Sequence, residues 1–471
     1  MMGAAMGQEL WRESAASLAS RIREGEVTSR EVVDAHLERI EAVNAALNAV
    51  VEVRADEVRR AADEADAKQR SGDPLGPLHG VPFTIKTNID VAGYATTQGT
   101  TAMKDVMATS DAPTVERMRQ AGAVALARTN MPDLGLRVNT ESSLYGAAHN
   151  PWRHGYTTAG SSGGEAAAIA SGMSPIGLGN DIGGSLRNPA FACGIASIKP
   201  SHGRVPQGNP SSLIDMPINS QIMLVEGVLA RHVGDLRIGL EAIMGAHRSD
   251  PLSLSAPLVG ADAPRRVALV PSPSGGTTDP NIADAVRNAG KALEAAGYEV
   301  EELEPPKLFE SYFAWSELMM TCLEVERPMF ESLLGEGGQR FLELTSLLSS
   351  PSTAESLYAM HQFRFGVAKT WREFMSTYPL IVGPTWTEPP FPHGYDIESA
   401  ESAMSVIERV RFVLPANVLG LPAVCVPTGV ANGLPTGVQI IGDNFREDLC
   451  LVAGEVIEQS LGVITPIDPR G

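Results

Sequence analysis

The chain is short of lysine and cysteine, and it lacks any long apolar run. Only seven of its 37 basic residues are lysines, although it is 471 residues long. The four cysteines form no CxxC pair and the nine histidines show no HxxxH spacing, so a structural zinc site is not expected. No window reaches the ~18 uninterrupted apolar residues that span a bilayer, and the N-terminus lacks the features of a signal peptide. We therefore expect a soluble cytoplasmic protein, without a membrane segment, whose cysteines are buried free thiols.

Positive charge is also scarce. With 56 acidic residues the formal net charge is −19. This balance argues against binding to nucleic acid or to an anionic membrane, and it places no restriction on a neutral small molecule. Apolar residues make up 43% and charged residues 20%, which is typical of a globular chain with a large core.

We divide the chain into four stretches, and apolar spacing and turn residues mark the end of the first one. They are an N-terminal helical segment, a glycine-punctuated stretch, a mixed stretch and a closing stretch (1–75, 76–250, 251–410 and 411–471). Thr28 to Glu31 fits a helix capping box, and the proline-rich residues 384–393 predict a loop. Predicted helices cover 54–69, 114–120, 166–170, 280–296, 447–458 and much of 306–376; predicted strands cover 81–85, 122–127, 267–270, 298–302, 424–426 and 438–441. This alternation predicts an α/β fold.

One of the rare lysines, Lys86, ends the apolar run of the segment GVPFTIKTN (80–88). An exposed lysine just beyond a strand is the ordinary interpretation. The alternative is a desolvated lysine, because burial can lower a lysine pKa from ~10.4 by several units. A neutral lysine of that kind can act as a general base.

A glycine- and serine-rich loop, AGSSGGE (159–165), runs directly into a helix of small residues. Such a loop directs backbone N–H groups toward one point, so it is a candidate anion-binding turn rather than a linker. It also matches the GxSxG nucleophile elbow of α/β-hydrolases, with Ser162 at the serine position. That match is weak in glycine-rich sequence, so it is kept as an alternative.

A second glycine loop, GNDIGGSLR (179–187), ends in Ser185 and carries Asp181 and Arg187 on either side. Ile182 occupies the place of the third glycine of a dinucleotide fingerprint, so that assignment is rejected. Two glycines before a serine allow successive N–H groups to converge, as an oxyanion hole requires. Asp181 and Arg187 are close enough in sequence to support the loop through an ion pair.

Taken together, these segments resemble the amidase signature family, the Ser–cisSer–Lys hydrolases. The resemblance covers nearly the whole chain and rests on GVPFTIKTNID (80–90), ARTNMPDLG (127–135), GAAHNPW (146–152), AGSSGGEAAAIASG (159–172), GNDIGGSLRNPA (179–190), IKPSHGRV (198–205), LPAVCVPTG (421–429) and GLPTGVQIIG (433–442). It implies the amidase-signature fold, a central mixed β-sheet flanked by helices on both faces. The four stretches then become helices packed on the core, the signature core, a variable substrate-entrance region, and strands and a helix that complete the same single domain.

The resemblance also implies roles for individual residues. Ser185 corresponds to the nucleophile, Ser161 to the bridging serine and Lys86 to the base. The backbone N–H groups of the oxyanion hole correspond to residues 182–185 (Ile182, Gly183, Gly184 and Ser185), and the acyl pocket includes Gly135 and Leu136. Asp181, Arg187 and Ser162 support the loops. We predict a cis peptide bond at Gly160–Ser161, where glycine offers least steric resistance.

One departure from the family's pattern lies just before the paired serines. Thr158 and Ala159 replace the usual proline and glycine. Because alanine does not readily hold a positive φ, we expect the turn at Ala159 to differ from the family's geometry.

The function that these residues predict is hydrolysis of the carboxamide bond of a neutral, hydrophobic small molecule through a serine acyl-enzyme, with no metal or cofactor. A carbamate (urethane) or ester hydrolase with the same triad is a variant. The alternatives are a glutamine-dependent amidotransferase A-type subunit, an esterase that uses Ser162, and a non-catalytic binding homologue. The resemblance implies a homodimer, with a small amide or carbamate as the only other partner.

Overall fold

A computed structural model describes residues 9–212, 215–347 and 353–471. The α-helices within these residues are α1 (Ala15–Glu24), α2 (Ser29–Leu47), α3 (Ala55–Ser71), α4 (Pro113–Gln120), α5 (Gly163–Ala170), α6 (Arg187–Cys193), α7 (Ile218–Met223), α8 (Val233–Ile243), α9 (Pro280–Ala295), α10 (Leu308–Val325), α11 (Arg327–Leu333), α12 (Glu336–Ser346), α13 (Ala354–Met375), α14 (Ala400–Arg409), α15 (Leu414–Val418) and α16 (Glu447–Leu461).

The strands of the same residues are β1 (Val50–Glu52), β2 (Pro82–Lys86), β3 (Val124–Thr129), β4 (Glu141–Ser142), β5 (Gly146–Ala147), β6 (His149–Asn150), β7 (Arg153–Thr157), β8 (Ile176–Asp181), β9 (Ala196–Lys199), β10 (Val225–Ala230), β11 (Arg266–Leu269), β12 (Glu299–Glu302), β13 (Leu380–Pro384), β14 (Ala423–Ala431) and β15 (Leu434–Gly442). Within the described chain, eleven of them form one sheet in the order β1-β3-β2-β8-β10-β9-β14-β15-β13-β11-β12.

The large sheet is mixed, as predicted. Strand β2 runs parallel to both of its neighbours, β3 and β8, and β11 runs parallel to β12 and β13. The antiparallel hairpin of β14 and β15 lies between β9 and β13 and so joins the two halves of the sheet. Helices cover both faces, which confirms the predicted amidase-signature α/β fold.

Local sequence signals explain where several elements begin. The capping box of α2 is present, since the Thr28 side chain accepts from the Glu31 N–H at 3.1 Å and the Glu31 carboxylate accepts from the Thr28 N–H at 2.8 Å. Each predicted helix and strand is found, with its ends shifted by a few residues. The prediction of helices throughout 1–75 missed β1. The Asn44 side chain there accepts from the N–H groups of Ala49 and Val50, at 3.0 and 2.9 Å, and turns the chain onto the sheet edge.

Helix α5 packs unusually close to the sheet. This close packing positions the glycine- and serine-rich loop of residues 159–165, called the serine loop. All eight of its residues are buried, and it contacts β2, β3, β8 and β10. A Cβ at Gly163 would lie 2.2 Å from Oγ1 of Thr158, and one at Gly164 would lie 2.5 Å from the backbone of Asn130. Only glycine fits at either position, so these residues allow the N-terminal end of α5 to approach Thr158 and the backbone of Asn130, which directly follows β3.

The cysteines are free thiols, as predicted. Cys193, Cys425 and Cys450 are buried and Cys322 is half-buried. In the residues that the structure describes, no helix has both the length and the apolar character needed to cross a membrane.

Candidate active site

Lys86 is the last residue of β2, and its side chain is completely buried. Its Nζ donates to Oγ of Ser161 and to Oδ1 of Asn180, both at 2.7 Å. Sequence analysis paired Lys86 with Ser161 but did not identify Asn180, which lies on β8 within the second glycine loop. The strand order explains the contact, because β8 is the immediate neighbour of β2 in the sheet.

The charge state of Lys86 is set by its burial. Desolvation lowers the pKa of its ammonium from 10.5 to about 7, although the carboxylates of Asp181, Glu165 and Glu226 act in the opposite direction. Near neutral pH a large fraction of the side chain is therefore the uncharged amine. The structure thus favours the desolvated base over the exposed lysine.

Glu165 is a second buried ionisable group near Lys86 that sequence analysis did not identify. Its carboxylate accepts from the hydroxyl of Thr129 at 2.6 Å and from that of Thr84, and burial raises its pKa to about 7. These bonds attach the first turn of α5 to β2 and β3. A Cβ at Gly177 would lie 1.8 Å from the Glu165 carboxylate, so glycine leaves the space that this group occupies.

The loop that carries Ser161 contains the predicted cis peptide bond at Gly160–Ser161. Ala159 adopts a positive φ, of 58°, although alanine does not readily hold one. Two hydrogen bonds hold it there. Its N–H donates to Oγ1 of Thr157 at 2.9 Å, and its carbonyl accepts from Oγ1 of Thr140 at 2.7 Å.

Ser162 lies next to Ser161 but faces a different environment. Ser162 is completely buried, and its Oγ has no hydrogen-bond partner within the described residues. A Cβ at Gly179 would lie 2.9 Å from this Oγ, so the hydroxyl points at the backbone of β8. A nucleophile elbow needs an exposed serine at its tip, and this geometry argues against the esterase alternative.

Asp181 and Arg187 form the predicted ion pair, with Nη2 of Arg187 3.0 Å from Oδ1 of Asp181 and both side chains fully buried. Arg187 also donates to the side chains of Asn417 and Gln439, at 2.6 and 2.7 Å. Burial opposes ionisation of Asp181, but the neighbouring Arg187 guanidinium holds its pKa well below the usual range. The loop before Ser185 is therefore attached to a buried charged network that reaches α15 and β15.

The N–H group of Gly184 departs from its predicted role. It donates to Oδ1 of Asp181 at 2.7 Å, which commits it to the loop's own support rather than to a substrate oxyanion. The N–H groups of Ile182, Gly183 and Ser185 are then the candidates for the oxyanion hole. Ser185 itself is 8% exposed, so its hydroxyl is more accessible than that of Ser162.

The predicted pocket residues lie beside the serine loop. A Cβ at Gly135 would lie 3.2 Å from Oγ of Ser161, and the φ of 70° at this position also favours glycine. Leu136 joins an apolar cluster with Leu134, Met320 and Phe330. The Met and Phe side chains come from α10 and α11, so the variable region packs against Leu136.

The Asp181–Arg187 pair leads to a stability prediction. Asp181→Asn leaves the Arg187 guanidinium buried without its counter-charge, and we expect the free energy of unfolding to fall by about 3–5 kcal/mol. Urea unfolding at neutral pH measures this change. The matched control is Asp284→Asn, which removes an exposed partner of Arg287 and should leave the midpoint unchanged. Equal midpoints for the two variants would contradict the prediction.

The chain is similar to known proteins along most of its length. The profile of the Amidase family matches residues 31–451. An indoleacetamide hydrolase of Bradyrhizobium diazoefficiens is 39% identical over 462 residues, which cover 97% of this chain and 88% of that protein. An acylamidase of Rhodococcus erythropolis is 34% identical over 457 residues, 94% of each chain. The solved structure of 6-aminohexanoate cyclic dimer hydrolase with its substrate gives a TM-score of 0.84 at 28% identity, over 98% of this chain and 99% of that one.

Proposed function

The chain belongs to the amidase signature family and hydrolyses carbon–nitrogen bonds of amides, and from this premise we propose the substrate class and the residues that act. The substrate is a neutral amide with an apolar, aromatic-sized acyl group, and Ser185, Ser161 and Lys86 carry out the reaction. The observation that supports the triad most strongly is the 2.7 Å contact between Nζ of buried Lys86 and Oγ of Ser161.

The proposed reaction begins with proton transfer. Neutral Lys86 takes the proton of Ser161, Ser161 takes that of Ser185, and Oγ of Ser185 bonds to the carbonyl carbon. The ammonium of Lys86 then returns the proton through Ser161 to the leaving nitrogen as the C–N bond breaks. Water cleaves the acyl-enzyme by the same relay, releasing a carboxylic acid and restoring Ser185.

Negative charge on the substrate oxygen is met by backbone groups. We assign the oxyanion hole to the N–H groups of Ile182, Gly183 and Ser185, with Gly184 turned to Asp181. Donors fixed before the reaction stabilise developing charge without reorganisation. Asp181 and Arg187 act only by supporting the loop before Ser185, whereas the hydroxyl of Ser162 has no partner within the described residues and so adds no support of the kind expected from the sequence.

The walls of the proposed acyl pocket support an apolar substrate. Leu136, which follows Gly135 in the chain, packs in one apolar cluster with Met320 and Phe330. Arg137, the next residue after Leu136, is paired with Asp396 at 2.8 Å and with Glu141 at 2.9 Å. Since its charge is already neutralised, a charged acyl group gains nothing from it. The names of the indoleacetamide hydrolase and acylamidase relatives fit this class.

A substrate panel tests the proposal. We expect kcat/KM for indole-3-acetamide or phenylacetamide to exceed that for glutamine by about 100-fold, since burying an aromatic group contributes about 2–3 kcal/mol. An aryl carbamate and an aryl ester, measured against Ser185→Ala as the blank, determine whether the urethanase or esterase variant applies. A preference for glutamine would overturn the substrate class and favour the amidotransferase subunit.

Three broader proposals accompany this function. The single-domain organisation is supported by the large sheet, which contains strands from all four stretches of the chain. A cytoplasmic location is supported by the four free thiols. A homodimer follows from the family resemblance, and light scattering on the purified protein tests it.

A further inference from the structure

Trp315 lies on α10, outside every motif that carries the family resemblance, yet it contacts the loop before Ser185. Its indole N–H donates to the carbonyl of Ile182 at 2.8 Å. Its ring lies against the next residue, because a Cβ at Gly183 would be 2.6 Å from Cζ2 of the indole. The Trp315 side chain therefore donates to the carbonyl of Ile182 and packs against the adjacent Gly183.

Because the peptide bond is planar, the hydrogen bond from Trp315 also sets the direction of an N–H group. The Ile182–Gly183 bond is trans, so the carbonyl of Ile182 and the N–H of Gly183 point in opposite directions. When Trp315 holds the carbonyl on the side of α10, the N–H of Gly183 is directed to the other side of the loop. That N–H is one of the proposed oxyanion donors.

The neighbouring carbonyls are held by other groups. The carbonyl of Asp181 accepts from Nδ2 of Asn417 at 3.3 Å, that of Gly183 accepts from Nδ2 of Asn188 at 3.1 Å, and that of Gly184 accepts from the Asn188 N–H at 2.6 Å. Together with Trp315 there are four donors to these carbonyls, and the other three come from the signature core or from α15. Trp315 is the single contribution from the variable region to this set.

The same helix also contributes to the pocket. Met320, five residues after Trp315, belongs to the apolar cluster with Leu136. Met319 accepts from the side chain of Asn219 on α7, with the nitrogen 3.4 Å from Sδ. Helix α10 therefore contacts both the apolar cluster that contains Leu136 and the glycine loop before Ser185 (residues 179–187, the oxyanion loop).

We propose that Trp315 is a positioning residue that aims the N–H of Gly183 at the substrate oxyanion, and that through it α10 couples acyl-group binding to oxyanion stabilisation. This inference rests on the proposed function, since it needs Ser185 as the nucleophile. Trp315 touches the loop rather than the reacting atoms. Its effect must therefore appear in the transition state and not in the binding of the ground state.

Trp315→Phe removes the indole N–H and keeps an aromatic ring on Gly183. We expect kcat for phenylacetamide to fall by about 10- to 100-fold, below the cost of deleting an oxyanion donor, with KM changed less than about threefold. A boronic acid that forms a tetrahedral adduct on Ser185 should lose affinity by the same factor as kcat. A ground-state competitor such as 2-phenylethanol should bind unchanged.

Two further variants keep the experiment decisive. Replacing Trp315 with β-(3-benzothienyl)alanine deletes only the N–H and retains the bicyclic shape, so it should reproduce the effect even if phenylalanine packs poorly. Trp371→Phe is the matched control, because its indole N–H is buried with no partner within the described residues. We expect its kcat and its boronate affinity to equal those of the wild type.

The outcomes separate the inference from the function on which it rests. If Ser185→Ala is inactive while both Trp315 variants keep wild-type kcat, the amidase proposal stands and the positioning role is wrong. If the variants raise KM and leave kcat and boronate affinity unchanged, Trp315 is only a pocket wall, which also overturns the inference. Activity that survives in Ser185→Ala would remove the proposed function itself.

Discussion

Ser185→Ala is expected to lower kcat for an apolar amide by about 10⁴-fold or more, whereas Ser162→Ala should leave it within a factor of about three. The two hydroxyls differ in their surroundings. Ser185 reaches solvent and stands at the end of the oxyanion loop, while Ser162 is sealed against β8. The Oγ of Ser162 has no partner within the described residues, so its deletion removes an unsatisfied buried group and costs little stability.

The measurement is single-turnover hydrolysis together with mass spectrometry after labelling by a serine-reactive fluorophosphonate. The label should appear on the peptide that contains Ser185 in the wild type and in Ser162→Ala, and it should be absent from Ser185→Ala. Thermal unfolding of each variant shows whether a loss of activity reflects a loss of fold. Labelling of Ser162, with activity retained in Ser185→Ala, would favour the α/β-hydrolase alternative.

Lys86→Met is the second variant with a large expected effect, a fall in kcat of about 10²–10⁴-fold. Methionine preserves the length and apolar character of the chain but has no amine to accept the Ser161 proton. Because the buried position disfavours the ammonium, removal of the amine should also raise the free energy of unfolding at neutral pH. Loss of activity without loss of stability is the pattern that separates a base from a structural residue.

The pH dependence of the wild type follows from the same lysine. The active form is the neutral amine, and its pKa is lowered to about 7. The value of kcat/KM should therefore rise with pH through about 7, with roughly a tenth of the plateau at pH 6 and most of it at pH 8. A rate that falls as pH increases over this window would contradict the assignment of Lys86 as the base.

Lys199 provides the matched control for both measurements. It is also fully buried, and burial lowers its pKa to about 7, but its Nζ donates to the carbonyls of Pro200 and Leu421, at 3.0 and 2.8 Å. Lys199→Met should therefore change the free energy of unfolding but leave the midpoint of the pH profile of kcat/KM unchanged. A shifted midpoint in this variant would mean that a second lysine contributes to the profile.

Much of the site was predictable because its chemistry lies in contiguous motifs. Lys86 and Ser161 are identified by residues next to them in sequence, and the packing of α5 against β2 then brings the two side chains together. The ion pair of Asp181 with Arg187 was also local, six residues apart. Gly184 shows the limit of this approach. A glycine before a serine predicts a free N–H, but whether that N–H faces a substrate or Asp181 depends on the fold of the loop.

The other features that the sequence did not predict depend on contacts made by side chains in the folded chain. Trp315 lies more than 130 residues from Ile182, in a region without a motif, so nothing in its neighbourhood signals the contact. The positive φ of Ala159 contradicts its intrinsic preference because Thr140 and Thr157 hold its carbonyl and N–H. Local propensity disfavours this conformation, and the hydrogen bonds to the two threonine side chains stabilise it.

The central place of β14 and β15 has a consequence for synthesis of the chain. These strands come late in the sequence, yet they lie between β9 and β13 in the sheet. Arg187, which anchors the loop before Ser185, needs Asn417 and Gln439 from this same region. While Asn417 and Gln439 are still inside the ribosome, the nascent chain cannot form the hydrogen bonds that hold Arg187 and so cannot stabilise the loop before Ser185. The enzyme should therefore gain activity only after β15 has emerged, and fragments that end before β15 should remain inactive however much of the signature core they contain.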